Sequence, residues 1–163
     1  MKINELEIDI QKHKERSPET FNKIINTTIP FYMFYQKMSN GVSKLEEEKY
    51  RINHSELDVL SSLKMSGNEE YMLSPTKLQE RLLFTGGAIT KVLKKLEDKE
   101  YIVRINDKYD KRSKLVQLTP LGRETHDKVL KDVLEYEEKC FSSLSEEEKQ
   151  TMKNLFVKML KEF

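Results

Sequence analysis

The residues best equipped for chemistry in this chain are cations, and they come in two groups. The stretch "TGGAITKVLKK", residues 85–95, sets Thr85, Thr90, Lys91, Lys94 and Lys95 among the small residues Gly86, Gly87 and Ala88. The stretch "DKYDKRSK", residues 107–114, sets Lys108, Lys111, Arg112 and Lys114 around Asp110. Ammonium and guanidinium groups donate hydrogen bonds and accept none, so such a density suits the holding of a polyanion. The charge count agrees. Between Ser74 and Lys114 eleven Lys/Arg face six Asp/Glu, while the rest of the chain carries eighteen against twenty-two. A net charge of +1 therefore conceals a basic middle between acidic ends.

Other chemistries find no support. His54, Ser55 and Glu56 are adjacent at a helix start, where neighbours do not face one another, so they read as capping residues. His13, His54 and His126 lack ligand spacing, so no metal site and no cofactor are expected. No nucleophile–base constellation or phosphate loop is present, which argues against an enzyme. Cys140 is the single cysteine; it cannot form an internal disulfide and falls on an apolar stripe, where a thiol is usually inert. No run nears the roughly 20 apolar residues of a membrane span, and the opening residues have no apolar leader core. The expected location is the cytoplasm.

Elements that would position the cations follow from caps and periodicity. Charged residues make up 35% of the 163, aromatics 9%, and Trp is absent, a profile of helices with wide solvated faces around a modest core. A first helix is expected from Ser17 and Pro18, kinked or divided at Pro30 and stopped at Gly41. Its aromatic cluster Phe31, Tyr32, Phe34 and Tyr35 is too rich for ordinary surface and is expected in a core or an interface. The alternative is a ligand pocket, for which Phe31, Tyr32, Tyr35 and His54 are the candidate lining residues. Asn53 with Glu56 opens a second helix through Leu57, Leu60 and Leu63. "YML" reads as a short strand, and Ser74-Pro75 starts a helix near whose beginning lies Lys77.

After a tight turn, Thr85 caps a helix whose Ile89, Val92, Leu93 and Leu96 share one face, opposite Thr90, Lys91, Lys94 and Lys95. The two helices and their turn make a helix-turn-helix pattern. "YIVRI" and "KLVQL" then form a hairpin around the cationic loop, which is thus a wing. Thr119-Pro120 starts a helix reaching Cys140 and Phe141, and Ser145 with Glu148 opens a last one, striped by Met152, Leu155, Phe156, Met159 and Leu160. The fold class is mainly α (α+β), a winged helix-turn-helix over 53–118 between helices at 17–49 and 119–163.

Asp110-x-Arg112 followed by Val116, Leu118, Thr119 and Gly122 resembles the wing signature of the MarR (multiple antibiotic resistance regulator) family, and "TGGAITKVLKKLEDKEYIVR" resembles its recognition helix and wing strand. The resemblance covers about residues 17 to 163. Two positions depart from it: Lys94 stands where the family often has Asp, and Glu100 replaces a small residue at the helix exit.

The resemblance implies a homodimeric transcriptional regulator of double-stranded DNA, with the terminal helices as dimerisation domain, commonly released by a small aromatic or anionic ligand. The terminal stripes independently need a partner, since one small chain offers too little core for all of them. Thr90 and Lys91 are candidates for base edges, with Thr85, Lys94 and Lys95 nearer the backbone. Gly86, Gly87 and Ala88 keep the helix start slim for a phosphate, the alternative being a plain turn. Arg112 is expected in a minor groove, with Asp110 holding it or a neighbouring cation in position, and Lys77, Lys108, Lys111 and Lys114 on phosphates. A winged-helix module that binds protein instead of specific DNA is the second reading.

Overall fold

In residues 6–16 the apolar Leu6, Ile8 and Ile10 alternate as in a strand, yet the segment forms a helix. In the computed structural model, which describes residues 5–107 and 114–162, this is α1 (Leu6–Arg16). Its support is electrostatic and local. Glu7 and Asp9 lie in the first turn, and His13, Lys14 and Arg16 in the last, as the helix dipole favours. Gln11 also donates to Glu15, one turn on, at 2.7 Å.

The chain falls into two units, Met1–Gly41 and Val42–Phe163. In the first, the helix expected at Ser17 starts later. Ser17 is the C-cap of α1, its N–H donating to the His13 carbonyl, and its own carbonyl accepts from Thr20 and Phe21. Those bonds spend the segment in a turn, so α2 begins only at Ile25 and runs to Tyr50. Neither Pro30 nor Gly41 ends it. Pro30 is the sixth residue, so its missing N–H and ring affect only the entry of a 26-residue helix. A single glycine likewise costs about 1 kcal/mol, too little to stop a long helix.

In the second unit the order is α3 (His54–Ser66), β1 (Met72–Leu73), α4 (Pro75–Leu82), α5 (Gly86–Asp98), β2 (Ile102–Asn106), β3 (Lys114–Leu118), α6 (Pro120–Cys140) and α7 (Glu146–Leu160). Asn53 and Ser145 each form a full capping box, with Glu56 and Glu148 reaching back to the cap N–H. The sheet is antiparallel in the order β1-β3-β2, and β2 pairs with β3 from Ile102↔Leu118 to Asn106↔Lys114. Leu60, Leu63, Leu93, Leu96, Ile102 and Leu118 close one core between α3, α5 and the sheet. A second core joins Val42, Ile52 and Leu57 to Val129 and Val133 of α6. Tyr101 packs against both.

At Tyr101 the chain leaves α5 through Glu100, whose φ of 59° is left-handed although it bears a side chain. Thr119 meets it there. Its N–H donates to the Tyr101 carbonyl at 3.0 Å and its hydroxyl to the Glu100 carbonyl at 2.8 Å, while Oγ1 accepts from Gly122 N–H at 2.9 Å. A β-carbon at Gly122 would overlap the Tyr101 carbonyl and lie 2.9 Å from a Leu118 methyl. Both obstacles are fixed, one of them backbone. Gly122→Ala is therefore expected to lower stability by at least about 1–3 kcal/mol, the usual cost of overpacking, as read by urea unfolding.

Candidate nucleic-acid interface

The corner between α4 and α5 is built by side chains that satisfy helix ends locally. Ser74 Oγ accepts from Lys77 N–H at 3.2 Å, with Pro75 at the first helical position. Leu78 is fully buried beneath the turn. Leu83 turns the chain in a left-handed conformation, φ 53°, and Phe84 N–H donates to the Gln79 carbonyl at 3.0 Å. Thr85 then caps α5, its Oγ1 accepting from Ala88 N–H at 3.2 Å.

Ile89, Leu93 and Leu96 face the core, which leaves Thr90, Lys91, Lys94 and Lys95 exposed on the opposite face. Internal packing does not require glycine at the start of α5. A β-carbon at Gly87 would meet nothing within 4 Å, and one at Gly86 only the end of Gln79, at 3.8 Å. Neither has positive φ. Among the described residues, close packing therefore does not account for either glycine. A slim, open helix start with N–H groups directed outward suits an anion approaching from outside.

Which cations remain available is decided by their partners. Arg104 is taken by Glu97, Nε to Oε2 3.2 Å, and Lys99 by Glu56. Lys77, Lys91, Lys94, Lys95 and Lys114 form no ion pair among the described residues. Thr90 donates its hydroxyl proton to the Gly86 carbonyl at 2.8 Å, so outward it offers a lone pair and a methyl group. Lys114 opens β3, but Lys108, Asp110, Lys111 and Arg112 lie outside the described residues.

The aromatic side chains expected in a core or an interface are not in a core among the described residues. In the first unit Phe31, Tyr32, Phe34 and Tyr35 are exposed on α2, with Phe31 edge-on to Tyr32 at 5.4 Å and stacked on Tyr35 at 6.3 Å. Tyr32 and Tyr35 line a shallow groove with Gln36, Ser39 and Asn40.

His54 belongs to the second unit, where its largely exposed ring covers a buried carboxylate in an ionic cluster that local sequence patterns do not disclose. Its Nδ1 lies 3.2 Å from Oε1 of Glu46, a fully buried carboxylate whose Oε2 has no hydrogen-bond partner among the described residues. Its Nε2 lies 3.9 Å from Asp58 Oδ1. His126 is also fully buried, with Nε2 3.1 Å from Ser61 Oγ and Nδ1 3.0 Å from Asp127 Oδ1. Despite the serine–histidine–aspartate order, Ser61 sits inside α3, where backbone N–H groups are spent on the helix and cannot stabilise an oxyanion.

A sequence model of the MarR family matches residues 52–114. Among curated proteins the chain is 31% identical over 107 residues to the HTH-type transcriptional regulator PecS of Dickeya dadantii, covering 66% of this chain and 64% of that one. It is 37% identical over 87 residues to the HTH-type transcriptional regulator PapX of Escherichia coli, covering 53% and 51%. The match thus spans less than two thirds of either relative. Among solved structures, a mutant MarR from E. coli complexed with operator DNA has a TM-score of 0.71 at 25% identity, over 86% of this chain and 98% of that one. MepR, a regulator of the Staphylococcus aureus multidrug efflux pump MepA, has 0.69 at 26% identity, over 87% and 98%. The shared architecture is the winged helix-turn-helix, mainly helical with a small antiparallel sheet.

The Glu46 cluster gives a pH dependence with a definite sign. Burial raises the Glu46 carboxyl above its ordinary 4.5, although the His54 hydrogen bond and charge oppose the rise. Burial likewise raises Asp58 above 3.8. For His54, burial lowers the value, but the Glu46 hydrogen bond and the charges of Asp58, Glu46 and Glu137 outweigh it and hold the ring above 6.5. All three bind protons more tightly folded than unfolded. Their contribution is full below the ordinary carboxyl values and is lost as pH rises, finally through the His54 value. Glu46→Gln is expected to flatten this part of the decline between about pH 5 and about pH 8, measured as the difference in urea midpoint from wild type.

Proposed function

The chain belongs to the MarR family, and we propose that it is a cytoplasmic, sequence-specific DNA-binding transcriptional regulator acting as a homodimer. The observation that carries this reading is α5 itself. It is buried on one side, bears on the other Thr90 and three lysines that form no ion pair among the described residues, and opens at two glycines where a β-carbon would find open space or only the end of Gln79. Such a helix can enter a major groove with its N-terminal turn close to the phosphates. Thr90 and Lys91 then read base edges, Thr85, Gly86, Gly87 and Ala88 bring the helix start to the backbone, and Lys77, Lys94, Lys95 and Lys114 hold phosphates. The wing residues Lys108, Asp110, Lys111 and Arg112 keep the roles the family resemblance gives them. That a MarR of the same architecture was solved on operator DNA supports the reading.

Apolar side chains left exposed on α6 and α7 support the dimer. Leu134 of α6 and Phe156 and Val157 of α7 flank a recess of about 540 Å³ with Phe141 and Met152, and Leu155, Met159 and Leu160 are exposed beyond it. Burying such a stripe against a second copy resembles closing a split core. A dimer presents two α5 helices, which suits an inverted repeat with half-sites about 10 base pairs apart. In the fuller form of the proposal the protein is a repressor released by a small aromatic or anionic ligand, with Phe31, Tyr32 and Tyr35 of the first unit as candidate ligand residues.

Selection of bound sequences from random duplex DNA tests the reading. Recovery of an inverted repeat is expected; failure to enrich any sequence would favour the protein-interaction module. On the selected duplex, Lys91→Ala is expected to relax discrimination at particular base pairs by about 1–3 kcal/mol. Lys94→Ala should weaken selected and random DNA alike and reduce the slope of log affinity against log salt by about 0.9. Equal losses for Lys91→Ala on both duplexes would refute its base-reading role. Sedimentation that finds a stable monomer still tight on one half-site would refute the dimer.

A further inference from the structure

Lys99 is counted among the cations of the basic middle, but its ammonium is turned inward. It is the C-cap residue of α5, and its Nζ donates to Glu56 Oε2 at 2.8 Å and to the Arg51 carbonyl at 2.7 Å. The Glu56 side chain is only 2% exposed, and the same Oε2 accepts from Asn53 N–H at 3.0 Å to complete the capping box of α3. Arg51 holds the corner between α2 and α3 in a left-handed conformation, φ 55°. One lysine thus ties the exit of α5 to a buried carboxylate and to the backbone of that corner. A recess of about 430 Å³ lined by Arg51, Glu56, Lys95 and Lys99 lies against the tie.

Its place on the helix gives the tie leverage. A 13-residue helix is roughly 20 Å long, so a tilt of about 10° at the exit moves the entry by roughly 3 Å. Hydrogen bonds to base edges tolerate only a few tenths of an ångström. The apolar face of α5 fixes its depth but not its tilt with equal force, because dispersion contacts are not directional. The Lys99 bonds are, and so is the Arg104–Glu97 pair that ties the same helix to β2.

We propose that Lys99 is a positioning residue for DNA recognition, setting the tilt at which α5 presents Thr90 and Lys91. The inference rests on the DNA-binding reading above. A double variant tests it. Lys99→Met alone leaves the Glu56 carboxylate buried without its cation and endangers folding. The double variant Lys99→Met/Glu56→Gln leaves no buried charge, and glutamine can keep the capping box. Affinities of wild type and double variant are measured on the selected duplex and on a random duplex across a salt series.

The double variant is expected to lose at least about tenfold in the ratio of selected to random affinity, with the wild-type salt slope retained. An unchanged ratio would overturn the inference. So would a slope reduced by about 0.9, which would make Lys99 a phosphate contact. Residual dipolar couplings of the free proteins provide a second arm that needs no DNA. A changed direction of α5 relative to α3 is expected in the double variant, and an unchanged direction overturns the inference. Lack of discrimination by the wild type would refute the regulator reading instead, and the couplings would still decide whether Lys99 sets the helix.

Discussion

Where the chain leaves α5 and where it enters α6, two backbones pass close enough that only glycine fits at residue 122. Thr119 satisfies both sides of the crossing. Its hydroxyl donates to the carbonyl of Glu100 and caps α6 through Gly122 N–H, while its own N–H is spent on the Tyr101 carbonyl. Polar backbone atoms that would otherwise be buried unpaired are thereby matched, and an unmatched pair there would cost more than the bonds themselves return. The crossing also explains why Glu100 endures a left-handed φ: its carbonyl must face Thr119 while the chain turns into β2. Because Tyr101 packs on both apolar cores, a displacement here would be felt in each.

From that fixed point α5 extends as the helix that must serve two surfaces. Its inner face is determined by burial, and its outer face by which cations are left over once the internal pairs are made. The distinction between the two sets of cations is one of partners and not of residue type. Lys91 and Lys99 are chemically the same side chain, eight residues apart on one helix, yet only Lys99 finds a buried carboxylate within 2.8 Å. An unpaired surface lysine keeps its hydration and its mobility, which a phosphate contact can use. A lysine held by Glu56 and a carbonyl has surrendered both.

What the sequence disclosed and what it withheld follow the range of the interactions concerned. Caps at Asn53, Ser74, Thr85, Thr119 and Ser145 act over three residues, and each is where its sequence placed it. The hairpin and the buried face of α5 were legible because period-two and helical spacings are written in consecutive residues. The first helix was misjudged because Ser17 and Pro18 make an equally good turn, and α1 took the preceding bonds. Pairs distant in the chain left no local trace: Glu56 with Lys99 across 43 positions, Ser61 with His126 across 65. His54 shows the limit most clearly, for its position at a helix start was readable but its partner Glu46, on another helix, was not. The roles given to Lys108, Asp110, Lys111 and Arg112 still rest on the family resemblance, since these residues lie outside those described.

The distribution of burial carries the last step. In the second unit, α3, α4, α5 and α6 all contribute buried residues, whereas α7 contributes none and α1 of the first unit contributes none either. Yet α7 bears Leu155, Phe156, Val157, Met159 and Leu160, all exposed, while α1 has little apolar surface to hide. The two helices are unburied for opposite reasons. A charged helix can stand in water on its own ion pairs, but a stripe of five apolar side chains in water is a cost that selection removes unless something covers it. The surface that recognises DNA in our proposal is rigid because its own chain packs it. In the same proposal, a second copy covers the α7 stripe. Assembly and recognition thus draw on different parts of the chain, and the α5–α6 crossing at Tyr101 is where the chain passes from one to the other.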